Sequence, residues 1–267
     1  MSEFILKARD LNKFYMQRTG RFGFGTTHVK ALDNVSLKLR HATTLAVVGE
    51  SGSGKSTLAR CLLQLQPLDG GSVFFQGRDL ADLPAGELRR QRRHLQMIFQ
   101  DPFASLNPRM KVGEIVEEGL LIHGLGNKDE RLDKSLKMLV RVGLAESDMN
   151  KYPHEFSGGQ RQRIGIARAL VLEPKVVVCD EPVSALDVSI QAQILLLLKE
   201  LQHEMSLSYI FISHDLRVVR HIADEIAVMH QGKIVETGCI QEVYESPKQE
   251  YTRNLLRAIP GQKRQMV

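Results

Sequence analysis

Apolar and polar positions along the chain fall into two textures. Phe4 to Arg9 and Ala31 to Leu39 alternate, with β-branched residues among the apolar ones, and read as strands. Thr44-Leu45-Ala46-Val47-Val48 is a short continuous apolar run, the pattern of a strand buried on both faces, and Leu58 to Leu63 follows it as a helix. Gly70-Gly71 turns into a strand from Ser72 to Phe75, and Gln96 to Phe99 is a further short strand ending at Gln100. From Asp101 to Phe156 the texture changes. Val112, Ile115, Val116 and Gly119, then Leu132, Leu136, Leu139 and Val140, recur at helical spacing, and little reads as strand. After Ser157 strand and helix alternate again: a helix from Gln160 to Leu172, a strand from Val176 to Cys179, a helix from Ser189 to Glu204 and a strand from Tyr209 to Ser213. Ile226 to Met229 and Lys233 to Glu236 read as a hairpin turning at Gln231-Gly232. Gln17 to His28 reads as a loop punctuated by Gly20, Gly23 and Gly25, and the stretch from Tyr251 as a short, partly helical tail.

Alternating strands and helices predict a mostly parallel sheet covered by helices, with Asp101 to Phe156 as a helical insertion. Ligands of such sheets sit at the carboxyl ends of the strands. At 267 residues the chain is one large domain or two small ones, and 43% hydrophobic with 25% charged residues is an ordinary globular balance. Lysine plus arginine less aspartate plus glutamate, 36 − 31, gives +5, compatible with an anionic ligand or an anionic lipid surface nearby. No apolar run approaches the ~18 residues of a membrane-spanning helix. Met1-Ser2-Glu3-Phe4 lacks the basic-then-apolar build of a signal peptide. Cys61, Cys179 and Cys239 form no C-x-x-C, so a reducing cytosol fits best.

The strand Thr44 to Val48 runs into Gly49-Glu50-Ser51-Gly52-Ser53-Gly54-Lys55-Ser56-Thr57 and then into a helix. This is G-x-x-x-x-G-K-[ST] in the strand–loop–helix context that a phosphate-binding loop requires. Its glycines let the backbone approach an anion closely, and its N–H groups together with the helix N-terminus face the phosphates. Lys55 is expected to reach the β- and γ-phosphates and the Ser56 hydroxyl to ligate Mg²⁺. A second apolar strand ends in Asp180-Glu181. Asp180 suits the Mg²⁺ shell, and Glu181, one residue on, is placed to polarise the attacking water. Ser157-Gly158-Gly159-Gln160 opens a further helix, with Ser157 as its cap, and makes a second glycine-rich anion site. Two phosphate-type sites in one chain point to a composite site whose halves come from different copies.

With these motifs in order, the chain resembles the ATP-binding cassette ATPases over nearly its whole length. Ser157 to Gln160 resembles that family's signature loop, with Phe156 in place of the commoner leucine. Gln100 matches the Q-loop, Ser184-Ala185-Leu186-Asp187 the D-loop and His214 the switch histidine, and Tyr15 stands where the family stacks an aromatic on adenine. The resemblance implies an α/β phosphate-loop NTPase (RecA-like) core with a mixed, mostly parallel sheet, an antiparallel β subdomain and an α-helical insertion. It implies residues 1–99 as the β subdomain and first part of the core, 100–159 as the helical subdomain, 160–236 as the second part of the core and 237–267 as a short tail. ATP and Mg²⁺ are the implied cofactors. Glu181, His214 and Gln100 take catalytic roles, and Ser56, Gln100 and Asp180 surround the metal. Tyr15, residues 49 and 51–57, Ser157 to Gln160 and Asp187 contact nucleotide, which two cassettes sandwich head to tail.

Gln100-Asp101-Pro102-Phe103-Ala104-Ser105-Leu106-Asn107-Pro108-Arg109, Tyr152-Pro153-His154, Glu181 to Ser189, the late Ser246-Pro247 with Tyr251-Thr252, and the glycine-rich insert near Arg21 look like the peptide, nickel and opine importer branch. Branch members often carry a longer C-terminal extension, some with a cysteine cluster; the lone late Cys239 makes an iron–sulfur cluster doubtful here. The implied function is the ATP-hydrolysing subunit of an importer, peripheral on the cytoplasmic face of the inner membrane. Its implied partners are a like or unlike second ATPase, two transmembrane permease subunits and, indirectly, an extracytoplasmic solute-binding protein. The alternative is a soluble cassette ATPase acting on ribosomes or nucleic acid. Members of that kind usually carry paired cassettes or long coiled-coil or zinc insertions, and neither is seen. A small-molecule kinase would not need the signature or D-loop. Arg89-Arg90-Gln91-Arg92-Arg93-His94 reads as a solvated helix face, and with no aromatic interleaving it does not point to nucleic acid.

Overall fold

A computed structural model describes residues 3–19 and 25–258. In chain order its strands are β1 (Phe4–Thr19), β2 (Gly25–Arg40), β3 (Thr44–Val48), β4 (Gly70–Phe75), β5 (Arg78–Asp79), β6 (Leu95–Ile98), β7 (Val176–Asp180), β8 (Ser208–Ser213), β9 (Glu225–His230) and β10 (Lys233–Cys239). The helices are α1 (Lys55–Leu62), α2 (Ala85–Arg92), α3 (Pro102–Ser105), α4 (Val112–Ile122), α5 (Lys128–Arg141), α6 (Gly158–Leu170), α7 (Val188–Met205), α8 (Leu216–Ile222), α9 (Ile240–Glu245) and α10 (Glu250–Arg257). The chain forms two compact units, one from Met1–Leu83 with Ile210–Val267 and the other from Pro84–Tyr209, the division falling within β8.

In the first unit an antiparallel sheet has the order β2-β1-β4-β5. Leu6 and Ala8 of β1, Val35, Leu37 and Leu39 of β2, and Val73 and Phe75 of β4 are buried at the alternate positions that period two predicts, while Ile5 and Leu11 are buried out of phase beside register shifts in β1. The β1–β2 hairpin runs on through Tyr15↔Val29 to Thr19↔Gly25, so much of the stretch expected as a loop is strand. Its outer part hides from alternation because Met16 and Val29 are exposed: a solvated ribbon held by backbone pairing has no buried face to display. Gly20, Arg21 and Gly23 lie outside the described residues. A second sheet follows the order β10-β9-β3-β8 in this unit. All five residues of β3 are buried, and it runs parallel to β9 from Leu45↔Glu225 to Val48↔Val228. The hairpin β9–β10 turns at Gln231-Gly232 with both residues left-handed, at φ 47° and 80°.

In the second unit the order is β8-β7-β6, and β6 and β7 are parallel from Leu95↔Val176 to Ile98↔Cys179. Residues 101–156 contain helices and 3₁₀ turns and no strand. Val112, Ile115, Val116 and Leu120 of α4 are buried, the helical spacing seen in the sequence. The same helix places Gly113 against Met149 and Gly119 against Leu172. Asn127 caps α5 by accepting the Glu130 N–H at 3.0 Å, while Glu130 accepts the Asn127 N–H at 2.8 Å. This helical layer and the first turn of α6 belong to one body, which fixes the second glycine-rich turn on a rigid support.

Candidate functional site

In the first unit the residues of the phosphate-binding loop close around their own lysine. Gly54 stands at φ 105° immediately before α1, and Lys55 is that helix's first residue. Lys55 is 5% exposed, and its ammonium donates to the carbonyls of Gly49 and Glu50, both at 2.8 Å. These bonds to the loop's own carbonyls hold the charge inside the loop, where an anion would meet it. No acidic residue occupies the first turn of α1, so the partial positive charge of its N-terminus is not neutralised locally. The buried Ser53 hydroxyl has no hydrogen-bond partner, an orphaned polar atom inside the loop. A Cβ on Gly52 would meet nothing within 4 Å, whereas one on Gly54 would lie 2.3 Å from the Ala31 carbonyl oxygen. The loop is thus open on one side and pressed against β2 on the other, a cradle that fits a phosphate chain.

The hairpin turn bolts the loop in place. The Gly232 N–H donates to the Ser53 carbonyl at 3.0 Å, and the Asp33 N–H donates to the Gly232 carbonyl at 2.8 Å. Lys30 and Lys233 both pair with the Asp33 carboxylate, and the Lys30 hydrogen bond foremost holds that carboxyl below its usual range. The pattern marks Gly232 only as a hairpin turn and does not mark Asp33, because their contact with the loop joins segments far apart in the chain. Tyr15 is 36% exposed on β1, with the Lys13 ammonium 6.0 Å from its ring centroid. His214 is exposed at the end of β8, just before α8, whose cap Asp215 accepts the Arg217 N–H at 2.9 Å.

Close packing at Gly54 predicts a specific order of damage. Gly54→Ala should lower Tm by roughly 5 °C or more, since its Cβ overlaps β2 and its backbone is left-handed. Gly52→Ala, also left-handed at φ 80° but with open space around the Cβ, should cost less. Thermal unfolding of both variants decides it, and an equal or larger loss for Gly52→Ala would mean that the approach to β2 is not the constraint.

The second unit brings Gln100 and Glu181 together: the Gln100 side-chain amide donates to the Glu181 carboxylate at 3.0 Å. Asp180 is the last, buried residue of β7. Glu181 follows at φ 46°, a left-handed backbone that sequence patterns do not reveal in a glutamate. Ser157 caps α6: its hydroxyl accepts the Gln160 N–H at 3.4 Å, and its own N–H donates to the Gln160 side chain at 3.0 Å. No acid occupies the first turn of α6 either. Gly159 is required by packing, since its Cβ would lie 2.6 Å from the Ile190 methyl of α7, while one on Gly158 would make an ordinary 3.5 Å contact with Leu186. Asp187 caps α7 by accepting the Ile190 N–H at 2.9 Å, and it accepts the Ser189 hydroxyl at 2.8 Å. These bonds, the Ile190 N–H first, hold its carboxyl below the usual range.

Residues 32–184 match the family described as ABC transporter. The chain belongs to that family. It is the ATP-binding and ATP-hydrolysing cassette of an ABC transporter, as the ordered motifs imply. It is 53% identical over 258 residues to the dipeptide transport ATP-binding protein DppF of Escherichia coli, covering 96% of this chain and 76% of that one. It is 55% identical over 260 residues to the oligopeptide transport ATP-binding protein OppF of Salmonella typhimurium, covering 96% and 78%. The ATP-binding cassette MJ0796, solved as a dimer in a post-hydrolysis state bound to ADP and Pi, superposes with a TM-score of 0.76 at 30% identity, covering 88% of this chain and 98% of that one. The α/β phosphate-loop NTPase fold of this ABC cassette, with its mixed sheet, antiparallel sheet and helical layer, is the one its sequence implies. No described helix is long and apolar enough to cross a membrane.

Proposed function

We propose that this chain powers the uptake of peptides, or of a related small solute such as nickel, an opine or a metal chelate, as the ATPase of an importer. The observation that carries the reading is the likeness to DppF and OppF over nearly the whole chain, whose names state dipeptide and oligopeptide transport. The chain would sit at the cytoplasmic face of the inner membrane, bound to two transmembrane permease subunits through its helical stretch 100–159. A second ATPase, like or unlike, would face it head to tail, and an extracytoplasmic binding protein would deliver the solute. Residues 1–99 and 160–236 would form the nucleotide-binding core and 237–267 the tail.

In this reading the loop N–H groups and Lys55 hold the β- and γ-phosphates, and Tyr15 stacks on the adenine. Ser56, Gln100 and Asp180 offer hydroxyl, amide and carboxylate oxygens, a donor set that suits Mg²⁺, which would neutralise phosphate charge. Glu181 accepts a proton from water as the water oxygen attacks the γ-phosphorus, and ADP leaves with the electrons of the broken P–O bond. His214 donates to the γ-phosphate. Ser157, Gly158, Gly159 and Gln160 of the facing cassette close over the same phosphate, with Asp187 at the seam. A ligand that touches both copies biases the pair toward closure, and hydrolysis removes the bias. The test is affinity purification of the tagged chain from its native membranes in mild detergent. Recovery of two membrane-spanning subunits is expected, and recovery of ribosomes or nucleic acid in their place would sink the importer reading.

A further inference from the structure

Tyr251, which the sequence places in a short, partly helical tail and beside a branch-type Thr252, touches the phosphate-binding loop. Glu236 of β10 is 8% exposed, and its carboxylate accepts the N–H groups of Lys248 at 2.7 Å and Gln249 at 3.1 Å. These are the residues that lead into α10, whose cap residue Gln249 makes no capping bond with its own side chain. A buried carboxylate therefore supplies the anchor that the helix start lacks. The second residue of α10 is Tyr251, and its hydroxyl accepts the Glu50 N–H at 3.3 Å. Its ring lies 3.9 Å, centroid to centroid, from that of His230, with the planes 36° apart.

His230 ends β9 directly before the turn at Gln231-Gly232, and Gly232 donates to the Ser53 carbonyl at 3.0 Å. The Ser53 N–H in turn donates to the Glu50 carbonyl at 3.2 Å, closing the loop's internal turn. Both ends of that turn are thus gripped from outside: Ser53 by Gly232 and Glu50 by Tyr251. The two grips are joined to each other by the tilted ring contact of His230 and Tyr251. Lys55 donates to the carbonyl of the same Glu50, so any displacement of Glu50 moves the acceptor of the ammonium that meets the phosphates.

We propose that Tyr251 is a positioning residue for nucleotide binding, through which the C-terminal helix, anchored on Glu236, holds the phosphate-binding loop in its receiving shape. The inference rests on the loop's role in binding ATP. The test uses the full chain and a fluorescent ATP analogue, with equilibrium titration, steady-state hydrolysis and thermal unfolding measured on the same samples. Tyr251→Phe removes the hydroxyl and keeps the ring; loss of one modest hydrogen bond should raise Kd and the KM for ATP about threefold to tenfold. The maximal rate at saturating ATP and Tm should change little. A residue with only a packing role would give the opposite pattern, a lower Tm with unchanged Kd. Glu236→Gln weakens the anchor without touching Tyr251, and it should raise Kd in the same direction. Its effect combined with Tyr251→Phe should be less than the product of the two, because both act through one contact. Unaltered Kd in Tyr251→Phe, or full independence of the two substitutions, overturns the proposal. Failure of the unsubstituted chain to bind the analogue overturns the nucleotide reading itself, so the two failures are distinct.

Discussion

Glu181→Gln should leave ATP bound and unhydrolysed. Glu181 stands just beyond a fully buried strand and accepts the Gln100 side-chain amide at 3.0 Å. Its left-handed backbone, φ 46°, costs about 1–3 kcal/mol for a residue with a Cβ, and such a conformation persists only where the surroundings impose it. Here the imposing contacts are from Ser184, whose N–H and hydroxyl both donate to the Glu181 carbonyl, at 3.2 and 3.1 Å. Glutamine has the same shape, retains an oxygen for Gln100 and leaves the turn undisturbed, so nucleotide affinity should be kept. What is lost is basicity, and removal of a general base typically lowers turnover by about 10²–10⁴. Phosphate release in the steady state and nucleotide retained after rapid desalting are the measurements. Unchanged turnover would remove Glu181 from the role of base and move the search to His214.

Legibility of this fold in the chain follows from where burial is two-sided. Strands β3 and β7 stand out because all five residues of each are buried, which leaves continuous apolar runs. Helix α4 stands out because its buried residues recur at helical spacing. The hairpin β1–β2 is legible only in its inner part, where Leu6, Leu11, Val35 and Leu39 face the core. The phosphate-binding loop is legible because its glycines and Lys55 are required by local geometry, and local geometry is written in consecutive residues. The grips on that loop are not. Asp33, Gly232 and Tyr251 act on it from distant segments, and no spacing rule links Tyr251 to Glu50. The Gln100–Glu181 hydrogen bond and the left-handed Glu181 are equally silent, since each depends on how strands and turns are brought together rather than on which residues are neighbours.

A mixture of two defective proteins should form the ATP sandwich that neither forms alone. Lys55→Ala removes a buried ammonium and its bonds to the Gly49 and Glu50 carbonyls, and loss of a charge-assisted phosphate contact should weaken ATP binding about tenfold to a hundredfold. Gly158→Asp places a carboxylate at the start of α6, where a γ-phosphate from a facing copy would be repelled. The space around Gly158 makes the experiment clean: a Cβ there meets only Leu186 at 3.5 Å, so the cassette itself should fold normally. Gly159 is unsuitable for the same purpose, because its Cβ would strike Ile190 at 2.6 Å and confound binding with folding. In a head-to-tail pair each site takes the phosphate-binding loop of one copy and the signature turn of the other. Either mutant pairing with itself therefore carries a lesion in both sites. Paired together, the two mutants place both lesions in one site and build the other from intact halves. ATP-dependent dimerisation, followed by light scattering or size-exclusion chromatography, should accordingly appear in the mixture and be absent from each protein alone, with turnover kept low if the sites are coupled. Where the natural pair is two unlike chains, the same substitutions are divided between them. Should Gly158→Asp by itself dimerise on ATP like the unsubstituted chain, the signature turn does not contact nucleotide, and Ser157 to Gln160 are left with the capping role that their own hydrogen bonds already show.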